Sequence, residues 1–483
     1  MRDLSRRLFL KSTAAAVAFL PSVHLRAAGA NERIRVAVVG LKWRGGDHVD
    51  AFSKLPDASL AAICDLDQRF LDRETDKLAK QNLKTDTLTD CRKLLERKDI
   101  DAVVIATPNH WHALLTIWAC QAGKDVYCEK PVCHNLWEGR QMVAAAKKYG
   151  RIVAAGTQAR SDVGVAAAVE HIRSGALGKI KYIHALWYRR RDSIGKKPPW
   201  TPDFLDYDLW CGPSPKEPIT RNELHYDWHW VWPTGNGDVC NLGVHLVDIA
   251  RWFNDAKTLP RRVFSVGGRY AFNDAGETPN TQLTVFDYPV PIILENRNLP
   301  ARTGVDQCDV FRGTRSGVIV QCENGYFSGY NTGGWTYDNN DKKLKQFVGN
   351  GGLSHQANFL AAVRSRKTED LAAPLETGRQ SSSCCLAANI SIRSGGPGSP
   401  ADIRKSLEGF PVAAEAFGTM EKHLGANGVD LAATPLTLGP WLAIDPTSET
   451  ITAVQNGDAA ALNKAIALTK DAYRAPYVVF ENM

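Results

Sequence analysis

The sequence has no apolar run of the roughly 20 residues that a bilayer span needs, which argues against stable membrane insertion. It also lacks a long basic stripe interleaved with aromatics, which removes the usual footprint of a nucleic-acid partner. The adjacent Cys384 and Cys385 lack a metal-ligand pattern, and no metal site is assigned. The 11 cysteines are odd in number and dispersed, with Cys64, Cys120 and Cys240 in apolar settings. They read as small buried residues rather than a disulfide framework. No internal repeat or long low-complexity tract is present. What remains is an ordinary globular balance, 44% hydrophobic and 23% charged over 483 residues. That is enough chain for two sizeable domains and a terminal extension. The net charge of +7 is scattered, and part of it lies in the first residues.

Those first residues read as a leader. Arg6-Arg7 precede the short segment Ala14 to Leu20, and Ala28-Gly29-Ala30 offers a small-residue cleavage pattern. This resembles a twin-arginine export signal over residues 1–30. It implies the twin-arginine machinery as a partner and a periplasmic or otherwise exported protein that folds first in the cytoplasm. An exported enzyme with a dinucleotide would need to retain it tightly.

Residues 31–156 carry a repeated strand–helix order, which predicts a right-handed, mostly parallel sheet of Rossmann type. Ile34 to Val39 is an apolar strand, Gly40-Leu41-Lys42-Trp43-Arg44-Gly45-Gly46 a turn, and a helix starts near Gly46 or Asp47. Free amides at a helix start suit a phosphate. Gly40 and Gly45 occupy the first and third positions of a GxGxxG arrangement, while Lys42 replaces the middle glycine. The lysine either points away or contacts a phosphate, and the sequence does not choose.

The next strand, Leu60 to Cys64, ends at Asp65, 25 residues after Gly40. A carboxylate there accepts from a ribose diol and repels a 2′-phosphate, so NAD is favoured over NADP; a solvated strand-end acid is the plain alternative. Further strands end at Thr107-Pro108-Asn109-His110-Trp111-His112 and at Glu129-Lys130-Pro131, and ligands in such sheets lie beyond the strand carboxyl ends. The predicted cofactor contacts are Gly40, Lys42, Arg44, Gly45, Asp65, Thr107, Asn109, His112, Glu129 and Lys130.

After Gly156 the pattern changes to short alternating strands with large loops, predicting an α+β substrate and oligomerisation domain over residues 157–395 with a largely antiparallel sheet. The loop Tyr226 to Trp232 is rich in rings that would either form a platform for a sugar or simply pack. Tyr226 and His229 are its candidate substrate contacts. Asp238 reads as the N-cap of a following helix, on which Asn241, His245 and Asp248 share one side at i, i+4 and i+7. His245 is a candidate general acid/base, Lys130 a group that orients or polarises the same oxygen, and Asn241 a ligand for another hydroxyl. A merely buried polar network is the alternative for His245.

Together these motifs resemble the glucose–fructose oxidoreductase/inositol dehydrogenase/rhizopine-catabolism family, the Gfo/Idh/MocA family, over roughly residues 31–395. The resemblance implies catalytic roles for Lys130 and His245 and a carbohydrate or polyol substrate. Asn241 stands where relatives often carry an aspartate, so the charge assisting the histidine is changed. Three activities follow as expectations: NAD-dependent oxidation or reduction of a carbohydrate, glycoside or polyol hydroxyl; glycoside cleavage by a redox cycle that returns the hydride; and sugar binding without catalysis. A homo-oligomer is implied by the resemblance alone. Helices are expected at His355 to Ser365, Cys384 to Ser391, Val412 to His423 and Ala459 to Tyr473. Gly395-Gly396-Pro397-Gly398 reads as a linker into an extension, residues 396–483, packed on the core.

Overall fold

The computed structural model describes residues 32–480, so the twin-arginine leader read at residues 1–30 lies outside the described residues. The first domain is built on six parallel strands: β1 (Ile34–Val39), β2 (Ala58–Cys64), β3 (Asp86–Leu88), β4 (Ala102–Ile105), β5 (Asp125–Cys128) and β6 (Val153–Ala155). Their order is β3-β2-β1-β4-β5-β6. The strands are apolar on both faces because helices cover both. Val36 and Val38 of β1 enter one core cluster while Ala37 and Val39 enter the other, and β4 divides Ala102 and Val104 from Val103 and Ile105 in the same way. Each fully buried valine or isoleucine contributes about 1.5–3 kcal/mol. The order reverses direction between β1 and β4, which opens a crevice beyond their carboxyl ends.

The second domain carries a sheet of twelve strands. Eight come from its body: β7 (Ile180–Tyr188), β8 (Arg262–Gly268), β9 (Thr281–Phe286), β10 (Ile292–Arg297), β11 (Ser316–Cys322), β12 (Tyr326–Tyr330), β13 (Gly333–Tyr337) and β14 (Lys343–Val348). Pairing is antiparallel except between β7 and β10. Four more strands come from the C-terminal extension: β15 (Gly396–Gly398), β16 (Leu436–Leu438), β17 (Trp441–Ile444) and β18 (Ile451–Gln455). The extension therefore continues the sheet through β8. The expected linker at Gly395–Gly398 is corrected accordingly: Gly396–Gly398 pairs with β16. Likewise the helix expected from Cys384 is the second half of one 20-residue helix, Leu375–Ser394. Its residues Cys384, Cys385 and Ala388 are fully buried and share a core cluster with Val126 and Ala155 of the first domain. This helix is the spine that fixes the two domains against each other.

Candidate active site

A cleft of about 420 Å³ lies where the crevice beyond β1 and β4 meets the second domain. On the first-domain side, the turn after β1 is forced into glycine. Gly40 has φ +84°, and a Cβ there would sit 2.7 Å from Ala106 O; a Cβ at Gly45 would lie 1.6 Å from Gly40 O. The turn thus folds back on itself and onto the end of β4, aiming the free amides of the helix Arg44–Lys54 at the cleft. That helix starts two residues before the expected position.

Asp65 holds this turn in place. Its Oδ2 accepts from Leu41 N at 2.7 Å and its Oδ1 from Asp67 N at 2.9 Å. Burial pushes its carboxyl up to about 6, against the pull of those two amides. Beside it Thr107 Oγ1 is buried without a protein partner. A cradle that a Cβ would fill, a strand-end carboxylate and an orphaned hydroxyl at the end of β4 fit an adenosine pyrophosphate, so these residues suit NAD. Lys42 lines the cleft with its Nζ over rings, 4.6 Å from the Trp43 centroid and 5.7 Å from that of Phe70. Burial lowers its pKa, opposed by Glu223, Asp227 and Asp67.

Four further predicted cofactor contacts, Arg44, Asn109, His112 and Glu129, line the same cleft and also bond within the protein. His112 Nδ1 lies 2.6 Å from Pro131 O and Nε2 2.8 Å from Thr107 O, between two strand-end turns, and the neutral ring donates to one of the two carbonyls. Asn109 Nδ2 donates to Asn236 Oδ1 across the domain boundary at 3.4 Å. Arg44 Nε donates to Glu129 Oε1 at 2.8 Å. Glu129 Oε1 also meets His48 Nε2 and Gln158 Nε2, each at 2.9 Å, while Oε2 accepts from Lys130 N at 3.2 Å. Burial raises the Glu129 carboxyl, but Arg44 and His48 overcome it and leave it well below the ordinary glutamate value. Arg44 and Glu129 form an ion pair in the wall of the cleft.

Lys130 reaches the second domain. Nζ donates to Asn241 O at 2.7 Å and to Asn241 Oδ1 at 3.3 Å. Burial lowers its pKa, with the Glu129 charge opposing. Asn241 sits in a widened helical turn, Val239–Gly243, that runs directly into the helix Val244–Phe253. The wide turn brings Asn241 and His245 to the same cleft, but not Asp248. Asp248 is fully buried and held by Arg160 and Ser381, which corrects the expectation of a three-residue polar stripe. His245 makes no hydrogen bond to any described residue, and burial with the Lys130 charge drives its pKa down to about 3. It is a neutral base facing a cavity.

Asp238 is not the expected cap. No backbone N–H of the helix start meets its side chain; Oδ2 accepts from Arg191 Nε and Asn298 Nδ2, each at 2.8 Å, and Oδ1 from Asn241 Nδ2 at 3.0 Å. Arg191 in turn donates from NH1 to Tyr226 Oη at 2.7 Å. Tyr226 and His229 both line the cleft. His229 Nδ1 donates to Tyr226 O at 2.6 Å, which fixes the tautomer and leaves Nε2 as a free acceptor. Burial holds this ring near 3 as well. Trp228 stacks on it at 3.6 Å, so that ring serves both readings of the aromatic loop.

The same loop crosses the cleft. His225 Nε2 meets Asp67 Oδ2 at 3.0 Å, and Tyr226 packs edge-on against Trp43 with centroids 4.4 Å apart. Trp43 and Tyr226 have φ of 51° and 75°, a conformation costly for large side chains and typical of ligand clamps. The structure therefore gathers Gly40, Lys42, Gly45, Asp65, Thr107, Lys130, Tyr226, His229, Asn241 and His245 around one cleft. It adds Arg191, His225 and Asp238, which sequence reading missed or misassigned; an Asp three residues before Asn241 was the available signal.

A model of the Gfo/Idh/MocA oxidoreductase family, NAD-binding Rossmann fold, matches residues 34–157, and its C-terminal alpha/beta domain matches residues 185–316. A glycosyl hydrolase family 109 protein of Shewanella baltica is 30% identical over 234 residues, 41% of this chain and 50% of that protein. One from Shewanella sp. (strain ANA-3) is 29% identical over 235 residues. The chain spans about half the length of the curated relatives it matches. Among solved structures, GenD2 from gentamicin A biosynthesis in complex with NAD superposes with a TM-score of 0.55 at 21% identity, covering 77% of this chain and 96% of that one. An Agrobacterium radiobacter oxidoreductase in complex with NAD+, L-tartaric acid and magnesium gives 0.55 at 15% identity, covering 74% and 95%. Similarity at this level shows a shared fold.

Proposed function

Because the chain has the fold of the Gfo/Idh/MocA oxidoreductases, we propose that it is an NAD-dependent oxidoreductase acting at a hydroxyl of a carbohydrate, glycoside or polyol. The observation that carries this is that Lys130, bonded to Asn241, and an imidazole, His245, that has no hydrogen-bond partner among the described residues face the same cleft as the glycine turn. Gly40, Gly45, Asp65 and Thr107 would hold NAD, which when bound accepts the hydrogen and electron pair of the hydroxyl-bearing carbon. His245, neutral at physiological pH, takes the hydroxyl proton on its ring nitrogen. Lys130 Nζ has a third N–H beyond its two bonds to Asn241, and it steadies the charge growing on the substrate oxygen. Tyr226 Oη and His229 Nε2 bind neighbouring hydroxyls, with the Trp228 face against the sugar ring.

The clamp from His225 to Asp67 supports tight retention of the cofactor, as an exported enzyme requires. Export through a twin-arginine leader is part of this proposal and is tested by fractionating cells that express the full chain and an Arg6-Arg7 to Lys-Lys variant.

A second reading, redox-cycled glycoside cleavage, is favoured by His229. Its free Nε2 gives the cleft a second neutral imidazole, able to take the C–H proton beside the newly formed ketone, while the proton that His245 took from the hydroxyl passes to the leaving oxygen. Native purification, mass spectrometry of bound nicotinamide and product analysis on glycosides and polyols test both readings together. A ketone with reduced nicotinamide supports the first, and a cleaved glycoside with unchanged nicotinamide the second. No retained nicotinamide and no product from any substrate would leave a sugar-binding protein.

A further inference from the structure

We infer that Asp238 is the positioning residue for Lys130, supplying from one turn earlier in the chain the negative charge that Asn241 lacks. The inference rests on the reading that Lys130 works on the substrate oxygen. Asn241 contacts the lysine directly, yet an amide is symmetrical in its ability to present oxygen or nitrogen and could equally offer Lys130 a repelling N–H₂. Asp238 removes that ambiguity. Its Oδ1 accepts from Asn241 Nδ2 at 3.0 Å, which turns Asn241 Oδ1 toward Lys130 Nζ. The carboxylate is fixed from the other side by Arg191, 2.8 Å from Nε to Oδ2, and by Asn298 Nδ2 at 2.8 Å. Arg191 carries the same chain of bonds on to Tyr226 Oη, 2.7 Å away. One buried carboxylate thus orients the lysine's acceptor and, through the arginine, the tyrosine on the opposite wall.

The charges facing Lys130 come from both domains. Glu129 and Arg44 approach from the first, Asp238 and Arg191 from the second, and the rings of His112, His229 and His245 are pushed down by burial, with the lysine's charge adding to it. Within this set the Asp238 carboxylate favours the ammonium form of Lys130 and Arg191 opposes it. A residue that served only to hold the fold would not set that balance.

The test moves the charge. Lys130 is labelled with an amine-selective acylating reagent across pH, and its modification is read by peptide mass spectrometry, in the wild type, Asp238→Asn and the double variant Asp238→Asn/Asn241→Asp. All are measured as the full chain at equal nicotinamide content. In Asp238→Asn the labelling midpoint moves to lower pH and turnover falls about 10- to 100-fold, as expected for a misplaced reacting group. In the double variant the carboxylate stands beside Nζ itself. Its midpoint returns to or above that of the wild type, and turnover recovers at least in part. The inference is overturned if the Asp238→Asn midpoint matches the wild type, or if the double variant behaves like the single one. Should Asp238→Asn fail to fold, the double variant, which keeps a carboxylate near Arg191, decides alone: a midpoint below that of the wild type refutes the proposal. A wild type without turnover but with the expected midpoints would refute the oxidoreductase reading and leave the assignment of Asp238 standing.

Discussion

Replacing Glu129 with glutamine tests whether one buried carboxylate holds the first-domain wall of the cleft. Oε1 takes donors from Arg44, His48 and Gln158, and Oε2 takes Lys130 N. Glutamine keeps one acceptor but turns an N–H₂ toward the amide of Lys130 or toward Arg44, so at least one donor is left facing another. A hydrogen bond to a charged group contributes about 1.5–3 kcal/mol, and breaking a fully buried pair costs about 3–5 kcal/mol. The Glu129 side chain is 5% exposed but that of Arg44 is 40% exposed, so water recovers part of the arginine's loss and the lower range applies, about 2–3 kcal/mol. Urea titrations at pH 7 measure it. The pH dependence fixes the sign. Glu129 titrates well below its ordinary 4.5 in the folded chain, so its stabilisation is present above that value and is lost as pH falls toward the folded value. The gap between wild type and variant must therefore narrow on acidification below about 4.5. A loss under about 0.5 kcal/mol, within the range of ordinary surface substitutions, or a gap that widens in acid, would refute the reasoning.

Removing the imidazole in His245→Ala should lower turnover by about 10²- to 10⁴-fold, the range for a general base, with bound nicotinamide retained; an unchanged steady-state rate would reject the role. Because His245 and His229 are held near 3, the pH–rate profile should show no histidine limb between pH 5 and 8 in wild type, whereas an inflection near 6.5 would mean a solvated ring. Asp65 titrates at about 6 in the free protein, and ribose hydroxyls prefer its ionised form; NAD affinity, measured calorimetrically, should therefore fall as pH drops below about 6 in wild type and lose that dependence in Asp65→Asn. His225→Ala opens the clamp onto Asp67 and should speed NAD dissociation at least tenfold in a fluorescence chase, while an unchanged rate would show that the loop does not retain the cofactor.

What the sequence disclosed and what it hid differ by the distance of the partner. The apolar run Ile34 to Val39, the glycine turn and Asp65 form one local unit whose meaning is contained in about 30 residues, the span of a single strand–helix–strand unit. Lys130 and His245 were legible because a proline and a helical repeat placed each at an element end. Asp238 was misread because an aspartate before a helix is a strong local signal for a cap, whereas its actual partners, Arg191 and Asn298, lie 47 and 60 residues away. His112 is similar: Thr107 O is near in sequence, but the Pro131 carbonyl beside the other nitrogen comes from the next strand. Gly396-Pro397-Gly398 has turn composition, and only its pairing with β16 makes it a strand. β3 has three residues, two of them exposed, too few for any period to register.

The charges around Lys130 come from both domains. Each domain brings a carboxylate already neutralised by an arginine, Glu129 with Arg44 and Asp238 with Arg191, and Lys130 sits between them. Neither pair alone encloses the lysine, so its desolvation, and with it the neutrality of the facing imidazoles, depends on the domains being docked. Docking is fixed at one end by the helix Leu375–Ser394 in the shared core and at the other by His225 on Asp67. Burial and a neighbouring cation both disfavour the protonated imidazole, and excluding solvent strengthens both effects. On the proposed function, the contacts that enclose the cleft are therefore the ones that keep His245 neutral, so cofactor retention and turnover should fall together when they are broken.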